Sequence, residues 1–127
     1  MKKMLWMAVL AFMSMTVMAQ EEPICDTPEV MPEYAGGIEA MMQFMIKNMQ
    51  YPKDAEKQKI EGRVKVQFTI EKDGTVSDRK IVKSASPSLD AEAMRVAKLM
   101  TSKWKPAMDK GKNVRTRFIV PFAFKLK

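Results

Sequence analysis

The chain contains no histidine and only one cysteine, and this scarcity restricts the chemistry that it can perform. Without histidine it cannot form the Ser-His and Cys-His catalytic pairs or a histidine-based metal site. The one cysteine, Cys25, cannot form a disulfide within the chain. The residues before it, Glu22-Pro23-Ile24, are not the apolar, small-residue box that precedes a lipid-anchored cysteine. The sequence therefore predicts neither a metal site nor a cofactor.

Acidic residues do not supply an alternative catalytic pair. An acid–base pair requires two carboxylates placed across a substrate. The obvious candidates are Asp73, which stands beside Gly74 in a predicted turn, and Asp90, which lies in the first turn of a predicted helix. Both positions have a plain structural explanation. We therefore expect a protein that is not an enzyme.

Long apolar runs are absent except near the N-terminus. Leu5 to Met18 is almost entirely apolar and follows the basic residues Lys2 and Lys3. Val17-Met18-Ala19 offers the small-x-small pattern of signal-peptidase cleavage, here before Gln20. The run is shorter than the roughly 20 apolar residues that a membrane-spanning helix needs. The segment is predicted to be a cleaved signal peptide, with a short membrane anchor as the alternative.

The charge of the chain is strongly basic, at +7. Removal of Lys2 and Lys3 with the signal peptide lowers it to +5. A basic domain raises the question of nucleic acid, but an exported protein rarely meets nucleic acid, so we expect none as a partner. Two interpretations stay open: a charged, soluble surface, or attraction to acidic peptides or anionic envelope surfaces.

The first half of the predicted mature chain contains an arm and two helices. Residues 20–33 contain three prolines and too little apolar area to fold alone, which predicts an extended arm. Residues 38–50 have helical periodicity, with an apolar stripe made of Ile38, Met41, Met42, Met45 and Met49. Phe44 and Ile46 are predicted to widen this buried face. We interpret this stripe as core packing rather than a thioether metal site. Residues 53–59 are predicted to form a short helix with Ala55 facing inward.

Two strands and a third helix follow. Residues 63–71 alternate between apolar and polar side chains, which is typical of a half-buried antiparallel strand. Asp73-Gly74 predicts a hairpin turn into a return strand over 76–84, in which Val76 and Ile81 are an odd number of residues apart and so indicate a bulge. The next helix is predicted to start at an N-cap, Ser88. After that helix, Trp104 is expected to fold back as a core anchor.

The last predicted strand runs from Val114 to Leu126. Pro121 lies in its middle and cannot donate a ladder hydrogen bond, so the strand is expected at a sheet edge or with a bulge. An edge strand can accept a foreign peptide by strand addition. Arg115 and Arg117 either attract an acidic peptide or only keep the edge soluble. The candidate peptide-binding residues are Val114, Arg115, Thr116, Arg117, Phe118, Ile119, Val120, Phe122, Ala123 and Phe124.

An ordered set of motifs runs through about residues 32–127. It begins with Pro32-x-Tyr34-x-Gly36-Gly37 and continues with Tyr51-Pro52 with Ala55, Ile60-Glu61-Gly62, Val64-x-Val66-x-Phe68, Asp73-Gly74-x-Val76, Leu89-Asp90 with Glu92-Ala93, Trp104-x-Pro106, and the closing aromatic strand. This set resembles the C-terminal domain of TonB energy transducers of Gram-negative bacteria. Its structural positions are Tyr51, Pro52, Gly62, Asp73, Gly74, Trp104 and Pro106.

The resemblance implies an α+β fold with two helices packed on a three-stranded antiparallel sheet. It also implies a periplasmic domain whose edge strand pairs with the TonB-box peptide of outer-membrane receptors. Such domains support energy-dependent uptake of siderophores, vitamin B12 or glycans. If residues 1–19 remain as an inner-membrane anchor, proton-driven motor proteins of that membrane are further expected partners.

The division of the chain follows from these assignments. We predict a signal peptide or anchor at 1–19, an extended arm at 20–33 and a TonB C-terminal-like domain at 34–127. A full transducer has an uncleaved membrane helix and a long proline-rich spacer, whereas this chain has only a signal-like segment and a short arm. An alternative is therefore a soluble stand-alone module that binds peptides or the envelope without transducing energy. A homodimer formed by pairing of the final strands also stays open.

Overall fold

The computed structural model describes residues 22–127, so the predicted signal peptide and its cleavage site lie outside the described residues. The elements are α1 (Gly37–Asn48), α2 (Lys53–Lys57), β1 (Gly62–Ile70), β2 (Val76–Lys83), α3 (Pro87–Leu99), β3 (Ala107–Asp109), β4 (Lys112–Val114) and β5 (Thr116–Phe124). A three-stranded sheet has the order β2-β1-β5, and β3 and β4 form a separate two-stranded hairpin. Both pairs in the larger sheet are antiparallel. The predicted α+β fold, with helices on a three-stranded antiparallel sheet, is confirmed.

The core lies between the larger sheet and the helices. The alternation of β1 sends Val64, Val66 and Phe68 inward, and none of these side chains is exposed. Alternation has this effect because successive residues of a strand point to opposite faces. Strand β5 adds Val120, Phe122 and Phe124 to the same face of the sheet. Helix α3 supplies most of the facing layer, with Leu89, Ala93, Val96 and Ala97 buried. Among the described residues, the core cluster lies between Tyr34 and Phe124, within the predicted mature chain 20–127.

The predicted bulge in the return strand is confirmed. The register of β2 against β1 shifts between Thr69 and Ile70 and again between Lys65 and Val66. The shifts place one unpaired residue at Ser77 and a second at Val82.

Arg79 points inward as a result of the first bulge. Its Nε lies 2.8 Å from the Ala97 carbonyl oxygen and its Nη2 lies 3.0 Å from that of Met100. The guanidinium also lies 5.7 Å from the centre of the Phe68 ring. Because the last carbonyls of a helix lack intrahelical partners, Arg79 both caps α3 and holds it against the sheet.

The predicted Asp73-Gly74 turn is present, but only Gly74 has a positive φ, of 87°. Its N–H donates to the Glu71 carbonyl at 2.9 Å. The Asp73 carboxylate accepts from the N–H and hydroxyl of Thr75 at 3.0 and 2.6 Å, and these bonds hold the pKa of Asp73 below its ordinary value. Asp73 therefore stabilises the turn.

The predicted N-cap of α3 at Ser88 is wrong, because the helix begins at Pro87. The cap is Ser86, whose hydroxyl accepts from the Leu89 N–H at 3.3 Å. Proline is favoured at the first helical position, since its fixed φ suits the helix and its missing N–H is not needed there. The carboxylate of Asp90, in the first turn of the helix, accepts a hydrogen bond from the N–H of Ala85, just before the cap, at 2.9 Å.

The prediction of one continuous strand from Val114 to Leu126 is also wrong. Val114 pairs with Ala107 in the β3–β4 hairpin, and β5 comprises only Thr116–Phe124. The hairpin turn has positive φ at both Lys110 (53°) and Gly111 (77°), as a tight two-residue turn requires. The chain therefore changes sheet near Arg115.

Residues 22–33 run extended along this hairpin. Val30 and Met108 exchange both backbone hydrogen bonds, at 2.9 and 3.0 Å, and Glu33 and Lys105 do the same, at 3.0 and 2.7 Å. Within the described chain no helix is long and apolar enough to cross a membrane. The division into 1–19, 20–33 and 34–127 stays a prediction.

Candidate peptide-binding edge

Strand β5 lies at the border of the larger sheet, as Pro121 predicts. Among residues 22–127 its strand partner is β1, which pairs with it without a shift from Gly62↔Phe124 to Ile70↔Thr116. The candidate residues Thr116, Phe118, Val120, Phe122 and Phe124 turn their side chains toward the core. Arg117, Ile119 and Ala123 are exposed on the other face.

The backbone of β5 directs alternate residues away from β1. In an antiparallel pair, residues alternate between exchanging both hydrogen bonds with the opposite residue and pointing both groups outward. Pro121 has no N–H and lies opposite Lys65 in an unbroken register, so it occupies an outward position. Arg117, Ile119 and Ala123 share its parity, and their N–H and C=O groups therefore point away from β1.

An apolar groove of about 320 Å³ lies beside this border. It runs between α1 and β5 and is lined by Ile38, Met41, Met42, Met45, Ile46, Met49, Val120, Pro121 and Ala123. We call it the α1–β5 groove. A strand added to β5 would lie about 4.8 Å outside it, and its core-facing side chains would point toward this groove.

Less of the apolar stripe of helix α1 is buried than the sequence predicts. Met41 is 7% exposed, but Ile38 is 68%, Met42 54% and Ile46 74% exposed. The prediction that Ile38, Met42 and Ile46 belong to the buried face is therefore wrong. Ile38, Met42 and Ile46 are spaced i, i+4, i+8 and form one side of the apolar face of the helix. The helical periodicity did not show which side of that face the core would cover.

The arm occupies the start of the border. The Cys25 N–H donates to the Arg115 carbonyl at 2.8 Å, and the Thr116 hydroxyl donates to the Cys25 carbonyl at 2.6 Å. Ile24 and Arg115 form a parallel bridge. The arm thus lies where an incoming strand would otherwise extend past Arg117.

The two arginines near the border differ in their charge partners. Arg115 forms a bidentate ion pair with Glu71, with N···O distances of 2.7 and 3.2 Å, and this pairing holds the pKa of the Glu71 carboxyl below its ordinary value. Arg117 lies 3.9 Å from Asp26, and both side chains are about half exposed or more. Of the two, Arg117 is the better placed to attract a charged peptide.

Two of the structural motif residues, Tyr51 and Trp104, pack against core-facing side chains of β5. Tyr51 donates to the Ile60 carbonyl and its ring lies edge-on to Phe124, with centres 5.8 Å apart. Trp104 is 3% exposed, which confirms it as a core anchor, and its ring lies 5.3 Å from that of Phe118. The remaining motif residues have plain positions: Pro52 precedes α2, Gly62 begins β1, Asp73 and Gly74 form the turn, and Pro106 precedes β3.

The family model described as Gram-negative bacterial TonB protein C-terminal matches residues 47–126. The chain belongs to the TonB C-terminal family. Domains of this family serve TonB-dependent transport as binding and transducing modules, not as catalysts. The segment 47–126 contains all five strands but only the end of α1, so the arm and most of the groove-lining helix precede the matched part of this TonB C-terminal domain.

Solved structures agree with the family. Two solution NMR structures of the Helicobacter pylori TonB C-terminal domain, residues 194–285 and 179–285 of that protein, are 28% and 30% identical to the chain. They cover 71% and 74% of this chain, and 94% and 89% of their own, each with a TM-score of 0.54. No curated protein matches the chain.

Proposed function

We propose that this domain binds the TonB-box peptides of outer-membrane receptors by strand addition along β5. Binding there supports energy-dependent uptake of siderophores, vitamin B12 or glycans across the outer membrane. The observation that carries the proposal is the outward-facing backbone of Arg117, Ile119 and Ala123 beside the α1–β5 groove. Backbone pairing supplies affinity in this mode of recognition, and pockets for alternate side chains supply selectivity.

A proline substitution tests the backbone part of the proposal. Ile119→Pro removes one outward N–H, and Pro121 already shows that the β1 ladder accepts proline at this parity. Titration of residues 20–127 with a TonB-box peptide should show an affinity loss of about tenfold, from one hydrogen bond and the bulk of the ring. Ile119→Ala is the matched control, because it shortens the same side chain and keeps the N–H. Equal affinities of the two variants would exclude pairing at Ile119.

A charge placed in the α1–β5 groove tests the side-chain part. Ile46 is 74% exposed, so Ile46→Glu should leave the fold intact while placing a carboxylate against the apolar side chains of the peptide. Gln43→Glu adds the same charge at an exposed position of α1 outside the groove. We expect weaker peptide binding from Ile46→Glu alone.

The setting of the domain is part of the same proposal. We place it in the periplasm, exported by a signal peptide cut between Ala19 and Gln20, with an uncleaved inner-membrane anchor as the alternative. An anchored chain would engage proton-driven motor proteins, whereas a cleaved one would act as a soluble module. N-terminal sequencing of the native protein decides between them: a Gln20 start means cleavage, and an intact start recovered from the inner membrane means anchoring.

A further inference from the structure

The outer face of the larger sheet, opposite the helices, is strongly basic. The register places Lys65 opposite Lys83, and Gln67 opposite Lys80. Arg63 and Arg117 extend the same face along β1 and β5. The outward side chains of the three strands carry five cations, Arg63, Lys65, Lys80, Lys83 and Arg117, against one carboxylate, Asp78. We call this surface the basic sheet face.

The charge of the molecule is concentrated on that face. Leaving out Lys2, Lys3 and Glu21, the chain has 20 basic and 14 acidic residues, a net charge of +6. The three helices are each formally neutral, since every one contains as many acidic as basic residues. The basic sheet face alone has a net charge of +4. The fold thus places a basic sheet face on one side and a layer of helices with no net charge on the other.

These cations have little neutralisation within the described residues. The four ion pairs there involve Lys72, Arg95, Arg115 and Arg117, and the last pair is 3.9 Å long. Like charges directly opposite each other, such as Lys65 and Lys83, destabilise a sheet. A surface that retains such a pair without acidic partners is complementary to an external polyanion.

The shape of the face favours an extended, flat polyanion over a single acidic peptide. From the Arg63 pair to the Arg117 pair the strands span about 20 Å, at roughly 3.4 Å per residue. The four described cavities are lined by other residues, except that Ala123 and Pro121 border the α1–β5 groove at the rim. Ile119 and Val82, which are 47% and 42% exposed, add apolar side chains among the cations. Cations interspersed with apolar side chains suit a headgroup layer.

We propose that the basic sheet face docks the domain on an anionic phospholipid surface. Docking by this face leaves α1 and the α1–β5 groove on the opposite side, so the domain could hold a membrane and accept a peptide at the same time. The inference does not depend on the proposed peptide binding, because β2, which carries Lys80 and Lys83, lies at the other edge of the sheet.

Vesicle cosedimentation of residues 20–127 tests the proposal. The vesicles contain phosphatidylglycerol mixed into phosphatidylcholine, with pure phosphatidylcholine as the neutral comparison. We expect binding to the anionic vesicles only, and a loss of binding as salt rises, because surface electrostatics are screened. Each basic residue near such a surface contributes about fivefold, so Lys80→Glu with Lys83→Glu should reduce the affinity at least about 25-fold.

Matched variants separate the face from the net charge. Lys53→Glu with Lys98→Glu changes the net charge by the same amount on the helix side, and should retain most of the binding. Lys80→Arg with Lys83→Arg should bind like the parent, and urea unfolding checks that all variants are folded. The TonB-box titration should be unchanged by Lys80→Glu with Lys83→Glu, which keeps a failure of this inference distinct from a failure of peptide binding.

Three results would overturn the proposal. The first is no sedimentation with anionic vesicles at low salt. The second is an equal loss in the Lys53/Lys98 and Lys80/Lys83 glutamate variants, which would leave only a net-charge effect. The third is binding to soluble polyglutamate that Lys80→Glu with Lys83→Glu abolishes while vesicles stay unbound, which would assign the face to acidic polypeptides.

Discussion

At the scale of single residues, Gly74 is the glycine at which an added Cβ would make the shortest contact. Its φ of +87° is unfavourable for other residues, and an added Cβ would lie 2.1 Å from the Trp104 carbonyl oxygen. The Trp104 N–H also donates to the Gly74 carbonyl at 2.8 Å, so neither chain segment can move away freely. The turn between β1 and β2 and the position of Trp104 thus both depend on a glycine at residue 74.

We expect Gly74→Ala to lower the free energy of unfolding by at least about 2 kcal/mol, from backbone strain and steric overlap together. Gly111→Ala is the control. Gly111 also has a positive φ, of 77°, but a Cβ there meets nothing within 4 Å, so strain alone should cost about 1 kcal/mol. Urea unfolding of both variants measures the difference, and equal losses would show that the contact with Trp104 is relieved at little cost.

The Glu71–Arg115 ion pair makes stability depend on pH. Pairing lowers the pKa of Glu71 in the folded state, so its contribution is complete above the ordinary carboxyl pKa and is lost as pH falls through the lower folded value. Glu71→Gln should therefore cost about 1 kcal/mol at pH 7, and this cost should shrink toward zero below about pH 4. Both side chains are about three-quarters buried, which limits screening.

Urea unfolding of Glu71→Gln and its parent from pH 7 to pH 3 measures this cost. Glu33→Gln removes a carboxylate at an exposed position of the arm and serves as the comparison, which should change the stability by less than about 0.5 kcal/mol at pH 7. A Glu71→Gln cost that stays constant over this range would mean that the lost contribution is packing rather than charge.

At the scale of elements, local periodicity predicted what local forces decide. The alternation of Val64, Val66 and Phe68 predicted the buried face of β1. Pro121 restricted the last strand to a sheet edge or a bulge, and the structure has it at the edge. The β3–β4 hairpin was missed because its signal, Lys110-Gly111, requires a lysine with positive φ, which the residue types alone do not reveal. The docking of the arm was missed because it depends on backbone groups of a hairpin that lies about 80 residues away.

The candidate site was only half predictable for a related reason. The border position of β5 follows from a proline, but the α1–β5 groove depends on where α1 sits relative to the sheet. Helical spacing identifies Ile38, Met42 and Ile46 as one stripe and Met41 with Met45 as another. A narrow three-stranded sheet covers only one of them, and the choice is made by tertiary packing rather than by the helix itself.

The arm should behave as an integral strand of the hairpin. Removing residues 20–31 deletes the backbone bonds of Val30 with Met108 and of Cys25 with Arg115, which contribute roughly 0.5–1.5 kcal/mol each before the entropy of ordering the arm is subtracted. We expect a net loss of about 1–2 kcal/mol in the free energy of unfolding. Hydrogen exchange at the Met108 amide should accelerate as well.

A chain that begins at Glu22 is the control for this deletion, because it retains every described contact of the arm. Unchanged exchange at Met108 in the deletion variant would mean that the hairpin finds another partner for that amide.

At the scale of the whole molecule, the segment before α1, the sheet and the turn between β1 and β2 meet at one residue, Trp104. Trp104 packs against Tyr34 from the segment before α1, Phe68 from β1 and Phe118 from β5, with ring centres 5.5, 6.0 and 5.3 Å apart. Residues 20–127 contain no other tryptophan, since the second one is Trp6. The tryptophan fluorescence of residues 20–127 therefore reports on Trp104 alone, at a junction that joins distant parts of the chain.

Because a single core cluster includes this junction and α3 together, we expect residues 20–127 to unfold in one step. Urea transitions followed by Trp104 fluorescence and by far-ultraviolet circular dichroism should coincide, with a slope of about 1–3 kcal/mol per molar urea. Trp104→Phe keeps an aromatic ring at the junction and removes the signal, which identifies the source of the fluorescence. A tryptophan transition at distinctly lower urea than the dichroism transition would mean that the junction around Trp104 opens before the helices and does not couple them.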